Sequence, residues 1–369
     1  MMSLWDALRM NMMISYQELV RTFPRLLRQI SMKITRSDLL AVPTKNNTGS
    51  PTRPPLTGRE KITRYLPILT LVVLVALVSL YNPDFLKPDN IFQLLQDAST
   101  LFIMAIGMTF VIYIGGIDLS AQSIASMSTV VLVILLSQIG ALAIPLTLLV
   151  GALFGAISGW VHTRFKISSF ITTLAVGGIA YATGQVISGQ RAFYIPGDIR
   201  SQTVGWMTST VFTLPMEIII AAVLLLLALL MERRTALGRH MKAIGAGESA
   251  ALASGVKVIK VKIITFAIAG EFSAAAGVLL ATRLSGASPT MADQFLLPAI
   301  VAVLLGGTPL TGGVGGVLST LIGTLIVAVI RTSMTYLNVE AQAQQIFFGV
   351  LMIVAIAMTI DRAKISTVK

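Results

Sequence analysis

A chain of 369 residues that is 55% apolar and only 12% charged, with a mean hydropathy of +0.82, leaves most of its surface unsuited to water and reads as an integral membrane protein. The absence of cysteine excludes a disulfide scaffold, iron–sulfur ligation and a thiolate zinc site, and two histidines, His162 and His240, exclude a histidine metal cluster. A net charge of +12 invites a nucleic-acid reading, which the distribution of that charge argues against.

Residues 1–64 form the first segment. Leu19, Phe23, Leu26, Leu27 and Ile30 recur at helical spacing beside Arg21, Arg25 and Arg28, a pattern suited to lying on an anionic membrane surface. No secretory-type apolar core is present, and "PTKNNTGSPTRPPLTG" (43–58) reads as a linker. A dispensable upstream extension is the competing reading.

Ten apolar runs follow, at 66–81, 92–114, 121–138, 141–160, 168–187, 216–231, 263–281, 294–308, 315–331 and 346–360. A hydrocarbon core about 30 Å thick takes about 20 apolar residues per helix, and the runs lack the alternation of barrel strands. The expected fold is therefore an all-α integral membrane protein of about ten transmembrane helices. All Lys and Arg residues except Lys87, Arg191, Arg200, Arg283 and Arg331 fall in segments that are cytoplasmic if the N-terminus is. The positive-inside rule then puts both termini in the cytoplasm, as an even span count requires, and turns the basicity into a topology signal. The expected domains are the basic tail 1–64, a membrane domain 65–362 with a cytoplasmic loop at 232–262, and a short tail 363–369.

Gln93, Gln96, Asp97 and Thr100 share one face of the second run, a polar stripe that must meet protein or water. Helix packing and a place in a solute route are both open to it. At the end of that run, "GGIDLS" (115–120) sets two helix-weakening glycines and a carboxylate before the next helix. Ser120 is expected to cap that helix from Ala121, with Asp118 adding charge of the right sign; a solute ligand is the other reading of Asp118. The segment 188–215, with Trp206, is the longest outside connection and fits an interfacial cap and a docking surface alike. Glu271, mid-run, must be paired, protonated or in contact with water.

"GGTPLTGGVGG" (306–316) repeats the first break, with Gly306, Gly307, Leu310 and Thr311 matching Gly115, Gly116, Leu119 and Ser120. Interrupted helices at corresponding places in two halves point to a transport path, because they offer unpaired backbone groups to a polar solute. The expected path residues are Gly115, Gly116, Asp118, Ser120, Gln122, Gly306, Gly307, Thr308 and Thr311; glycines that merely permit close packing are the alternative.

In the loop, Gly245 and Gly247 are expected to break the chain, with a short helix from Glu248 to Ser254 ended by Gly255. "GGIDLS", the loop pattern G-R-x-x-x-A-I-G followed by A-A-x-x-S-G-V (Gly238 to Val256), and "LLGGTPLTGGVG" (304–315) carry a resemblance. The chain resembles the membrane-spanning permease of ribose-type ATP-binding-cassette sugar importers over roughly residues 65–362. Three departures stand out. Ala121-Gln122-Ser123 replaces the usual Val-Gly-Ser, Gly247-Glu248 replaces Asn-Pro, and Leu252-Ala253 stands where an Arg precedes Ser-Gly.

The resemblance implies that Ala243, Ile244, Gly245, Glu248, Ser249, Ala250, Ala251, Ser254 and Gly255 couple to a cytoplasmic ATPase. It further implies a multi-pass protein of the bacterial inner membrane, a periplasmic sugar-binding protein, and a second permease copy or relative completing the cavity within the lipid. The phosphate-binding pattern G-x-x-x-x-G-K-(S/T) is absent, so ATP and Mg are expected on the partner and no cofactor or enzymatic role on this chain. Permeases for nucleosides or branched-chain amino acids share the architecture. An ion-coupled secondary transporter using Asp118 and Glu271 is a different class of reading, and an intramembrane enzyme lacks a matching set of nucleophile, base and ligands.

Overall fold

Every one of the ten apolar runs coincides with an α-helix in the computed structural model, which describes residues 58–359. The expectations for residues 19–30 and for the tail 363–369 lie outside the described residues. In chain order the helices are α1 (Gly58–Tyr81), α2 (Pro88–Tyr113), α3 (Ala121–Ile139), α4 (Ala143–Phe165), α5 (Ser169–Ser188), α6 (Gly197–Thr203) and α7 (Met216–Arg234). They continue with α8 (Ala236–Ala246), α9 (Glu248–Ala253), α10 (Val258–Leu284), α11 (Leu296–Leu305), α12 (Val317–Tyr336) and α13 (Ala341–Thr359). Strand β1 (Phe193–Tyr194) pairs antiparallel with β4 (Gly286–Ala287), and β2 (Thr210–Val211) with β3 (Leu214–Pro215).

Among the described residues, five helical stretches are long and apolar enough to cross a membrane, one of them the 45-residue stretch Ala121–Phe165, which Gly140 (φ +60°) divides into α3 and α4. Shorter apolar helices are Tyr65–Tyr81, Asp293–Leu305 and Ala341–Ala357. Helix α7 stands apart because Glu217, Glu232, Arg233 and Arg234 charge both its ends.

Helix α2 is the axis of the structure. Every residue from Ala98 to Tyr113 is buried, as befits a helix apolar on all sides, and it packs against α7, α10, α11 and α12. Helix α10 packs against α2, α3 and most extensively α4. The α4–α10 contact is a seam of small residues: Gly151, Gly155 and Gly159, four apart on α4, face Ile263, Phe266 and Gly270. A Cβ on Gly151 would stand 2.6 Å from the Gly270 carbonyl oxygen, and one on Gly159 would stand 2.8 Å from Ile263 Cα. Without a hydrophobic drive between helices in lipid, such backbone contact is what holds two of them together. The large side chains Leu149, Leu153 and Trp160 of α4 are exposed instead.

This arrangement sorts the helix ends. The C-terminal ends of α2 and α11 and the N-terminal ends of α3 and α12 gather at one end, with the glycine-rich connections between them. The N-terminal part of α2 and the ends of α10, α12 and α13 meet at the other.

Candidate functional site

Both glycine connections begin with the same hydrogen-bonded helix stop. Gly115 (φ +72°) donates to Ile112 O at 2.9 Å and Gly116 to Val111 O at 3.0 Å. At the second connection, Gly307 (φ +87°) donates to Leu304 O at 2.9 Å and Thr308 to Val303 O at 3.2 Å. This is the Schellman pairing, which needs a left-handed residue just past the helix and so selects glycine there. The structural equivalents are thus Gly115 with Gly307 and Gly116 with Thr308, one position off the sequence match of Gly115 with Gly306.

The first connection is then pinned at two points by α5. Ile117 N donates to Ser169 Oγ and Leu119 N to Thr173 Oγ1, each at 3.0 Å, so hydroxyls of α5 hold it in place. Asp118 is buried and its Oδ1 accepts from Ser120 N at 2.8 Å and Ser120 Oγ at 2.5 Å. The structural role expected of Asp118 at this helix start is seen, and the side-chain cap expected of Ser120 is not. Ser120 makes no side-chain cap bond; its hydroxyl is consumed by Asp118, whose carboxylate near the start of α3 takes the amide instead.

The second connection packs directly on the first. Gly313 N donates to Tyr113 O at 3.0 Å, and a Cβ on Gly312 would stand 2.7 Å from Gly115 N. Thr308 is fully buried while Gly115, Gly307 and Thr311 are exposed and Gln122 is half-buried. Gly306 abuts the Ser319 backbone of α12, and Gly116 abuts Val111. Many of the backbone amides at these breaks are bonded within the protein. The amides of Gly115, Gly116, Ile117, Leu119, Ser120, Gly307, Thr308, Gly312, Gly313 and Val317 all have partners within the protein.

The loop 232–262 reaches the same place. Gly245 does not break the chain as expected; it lies inside α8, where a Cβ would overlap the Tyr113 carbonyl and the Gly313 amide nitrogen. The break falls at Gly247 alone, between α8 and α9. Lys242 of α8 donates to Glu232 Oε1 at 2.6 Å and to Gly315 O at 3.3 Å, and its ammonium stands 4.9 Å from the Tyr113 ring centroid. Glu232 Oε2 accepts Val317 N at 3.1 Å, at the start of α12. Of the loop residues expected to couple, Ile244 and Ala251 are buried anchors, Gly245 is half-buried, and Ala243, Glu248, Ser249, Ala250, Ser254 and Gly255 are exposed. Glu248 pairs with Lys262 at 2.8 Å.

At the far end of α2, the polar stripe finds a partner the sequence did not reveal. Asp97 Oδ1 lies 2.7 Å from Arg283 NH2, whose Nε is 3.9 Å from Glu217 Oε2. Gln93 is exposed and Gln96 half-buried, so the stripe is not a single lining. Glu271, midway along α10, is exposed on this chain.

A bundle of apolar helices around one buried axis, with a loop helix docked on two paired helix junctions, has the make-up of a multi-pass membrane protein. The chain belongs to the family described as branched-chain amino acid transport system / permease component, whose family model matches residues 90–356. It is similar to the Ribose import permease protein RbsC of Haemophilus influenzae, 36% identical over 322 residues that cover 81% of this chain and 95% of that protein. It is likewise similar to RbsC of Bacillus subtilis (38% over 306 residues; 81% and 92%) and to the L-arabinose ABC transporter permease protein AraH of Azospirillum brasilense (31% over 299 residues; 78% and 85%). No solved structure matches it.

Proposed function

We propose that the chain is the transmembrane permease subunit of a binding-protein-dependent ATP-binding-cassette importer, carrying a monosaccharide or polyol of the ribose type across the bacterial inner membrane. One observation carries this reading: similarity to a ribose import permease, 36% identical across 81% of this chain and 95% of that protein. In this reading all ten helical runs cross the bilayer and both termini are cytoplasmic, so the loop 232–262 meets a partner ATPase that holds ATP and Mg. A periplasmic binding protein delivers the sugar to the other face, and a second permease copy completes the cavity.

The contacts support the following mechanism. Helix α9 is the coupling helix, with Glu248, Ser249 and Ala250 on its outer surface, Ala251 beneath, and Ser254 and Gly255 exposed just past its end. When the ATPase pair closes, displacement of α9 moves α8, and α8 bears through Lys242 and Gly245 on Tyr113, Gly313 and Glu232. Both junctions then shift together, and the residues Gly115, Gly116, Asp118, Ser120, Gln122, Gly306, Gly307, Thr308 and Thr311 form the cytoplasmic gate of the route. The test is reconstitution in proteoliposomes with the ATPase and binding protein. ATP-dependent accumulation of labelled D-ribose is expected, and the permease alone should be inert. Uptake by the chain unaided, driven by a proton or sodium gradient, would overturn the assignment. The family description supports a second reading, a branched-chain amino acid as solute, which predicts leucine uptake in the same assay.

A further inference from the structure

We propose that the outward face of α10 at mid-membrane is a wall of the water-filled solute route, and that the Glu271 carboxylate accepts hydrogen bonds there from solute hydroxyls. The proposal rests on the importer reading above and names a contact for the sugar on its way to the cytoplasmic junctions.

Glu271 is the central residue of α10, about 20 Å from either end at 1.5 Å per residue. In the importer it lies about 15 Å from each edge of the hydrocarbon core, farther than its side chain can stretch. The helix carries no other charged residue between Lys262 and Arg283. The carboxylate is exposed and makes no ion pair and no hydrogen bond with any described residue. By contrast, Asp97, Glu217 and Glu232 each have a basic partner, and Asp118 has the Ser120 amide and hydroxyl. An ionisable group at this depth without a partner on its own chain requires water or another protein.

Packing shows which way it faces. Gly270 and Ala274 turn toward α4, Ala269 and Phe272 toward α2, and Gly277 meets α3. Glu271 occupies the remaining arc, flanked along the helix by Ile264, Ala267, Ile268 and Ala275, all half-buried. This face is not built for lipid. Helices α4, α7 and α13 expose large apolar side chains such as Leu153, Leu227 and Ile353, whereas α10 exposes none between Ile259 and Leu284. Where those helices offer hydrocarbon, α10 offers a carboxylate. A second permease copy set across this face would enclose a route with Glu271 on its wall. An ionised carboxylate only accepts hydrogen bonds, so it suits a solute rich in O–H donors, and its two oxygens can take neighbouring hydroxyls of one sugar ring.

The chain contains no cysteine, so Glu271→Cys gives the permease a single thiol. The full-length variant is assembled with its ATPase and binding protein in lipid nanodiscs and treated with a negatively charged methanethiosulfonate, modification being read from the mass of the permease. Only the thiolate reacts, and hydrocarbon suppresses its formation, so Glu271→Cys should react about tenfold faster or more than Ile353→Cys. Ribose-loaded binding protein should slow that reaction. A rate no higher than that of Ile353→Cys would place the face in lipid or a dry contact and overturn the proposal. Glu271→Gln, equal in size but uncharged, should raise the ribose uptake KM about tenfold through loss of a charge-assisted hydrogen bond, with Tm unchanged. Unchanged KM in both Glu271→Gln and Glu271→Leu would overturn the solute contact, as would a higher Tm with normal uptake in Glu271→Leu. If the wild-type importer carries ribose while these variants match it, this inference alone fails. If wild type carries no sugar, the reading beneath it fails, and the labelling rate still decides whether the face is wet.

Discussion

Lys242 Nζ stands 2.6 Å from Glu232 Oε1, and the other oxygen of that carboxylate takes the Val317 amide at 3.1 Å. One side chain thus joins the end of α7, the loop helix α8 and the first turn of α12, where a carboxylate also suits the helix dipole. The Glu232 side chain is only 5% exposed and that of Lys242 34%. Removal of the lysine would strand a buried charge.

Lys242→Met should therefore destabilise the protein by about 2–3 kcal/mol, the penalty for breaking a largely buried pair from one side. Glu232→Gln combined with Lys242→Met should recover part of that loss, since no unpaired charge remains. Thermal unfolding in detergent measures both. Strictly additive losses would show that the two groups do not interact.

Gly245→Ala should loosen the loop from the junctions. The added methyl meets the Tyr113 carbonyl and the Gly313 amide, both backbone, so relief requires separation of α8 from α2. Overpacking of this kind costs about 1–3 kcal/mol. Faster proteolysis within 238–262 and reduced coupling of ATP hydrolysis to uptake are the expected readouts, against unaltered cleavage if α8 does not bear on α2.

Asp118→Asn keeps an oxygen to accept the Ser120 amide and should retain uptake with a small loss in Tm. Asp118→Ala loses the cap and should cost about 1 kcal/mol or somewhat more, as helix-cap removal does. Abolished uptake in well-folded Asp118→Asn would instead assign the carboxylate to the solute.

Gly155→Ala places a methyl against the Phe266 carbonyl in the α4–α10 seam and should sharply reduce the yield of folded protein. Gly178→Ala on α5, where nothing lies within 4 Å, should be neutral or stabilise by about 0.5–1 kcal/mol from helix propensity. Similar yields for the two would refute close packing at the seam.

Glu248→Lys should separate function from stability. Its partner Lys262 is 2.8 Å away, but the Glu248 side chain is 58% exposed, and such surface pairs contribute about 0–1 kcal/mol. Normal Tm with strongly reduced ATP-driven uptake is expected if α9 meets the ATPase. Normal uptake would remove Glu248 from that contact.

Helices were legible because a run of twenty apolar residues has few other folds open to it. The glycine stops at 115 and 306–307 were legible too, yet their one-residue offset was not, since it depends on which glycine is left-handed. Gly245 looked like a breaker because its composition carries no record of the Tyr113 carbonyl pressed against it. Arg283 and Arg331 read only as charges near a boundary, and nothing in one dimension joins either to Asp97. The glycines at 151, 155 and 159 are a different case: their spacing of four is a visible signal for helix contact that went unused.

Asp97 and Tyr113 belong to one uninterrupted helix, about 24 Å apart at 1.5 Å per residue. In the proposed importer, an axial shift of α2 at the rim where Tyr113 meets Lys242 would be carried along this one helix to Asp97. Under that coupling, reciprocity requires whatever occupies the upper rim to bias the lower one by an equal free energy.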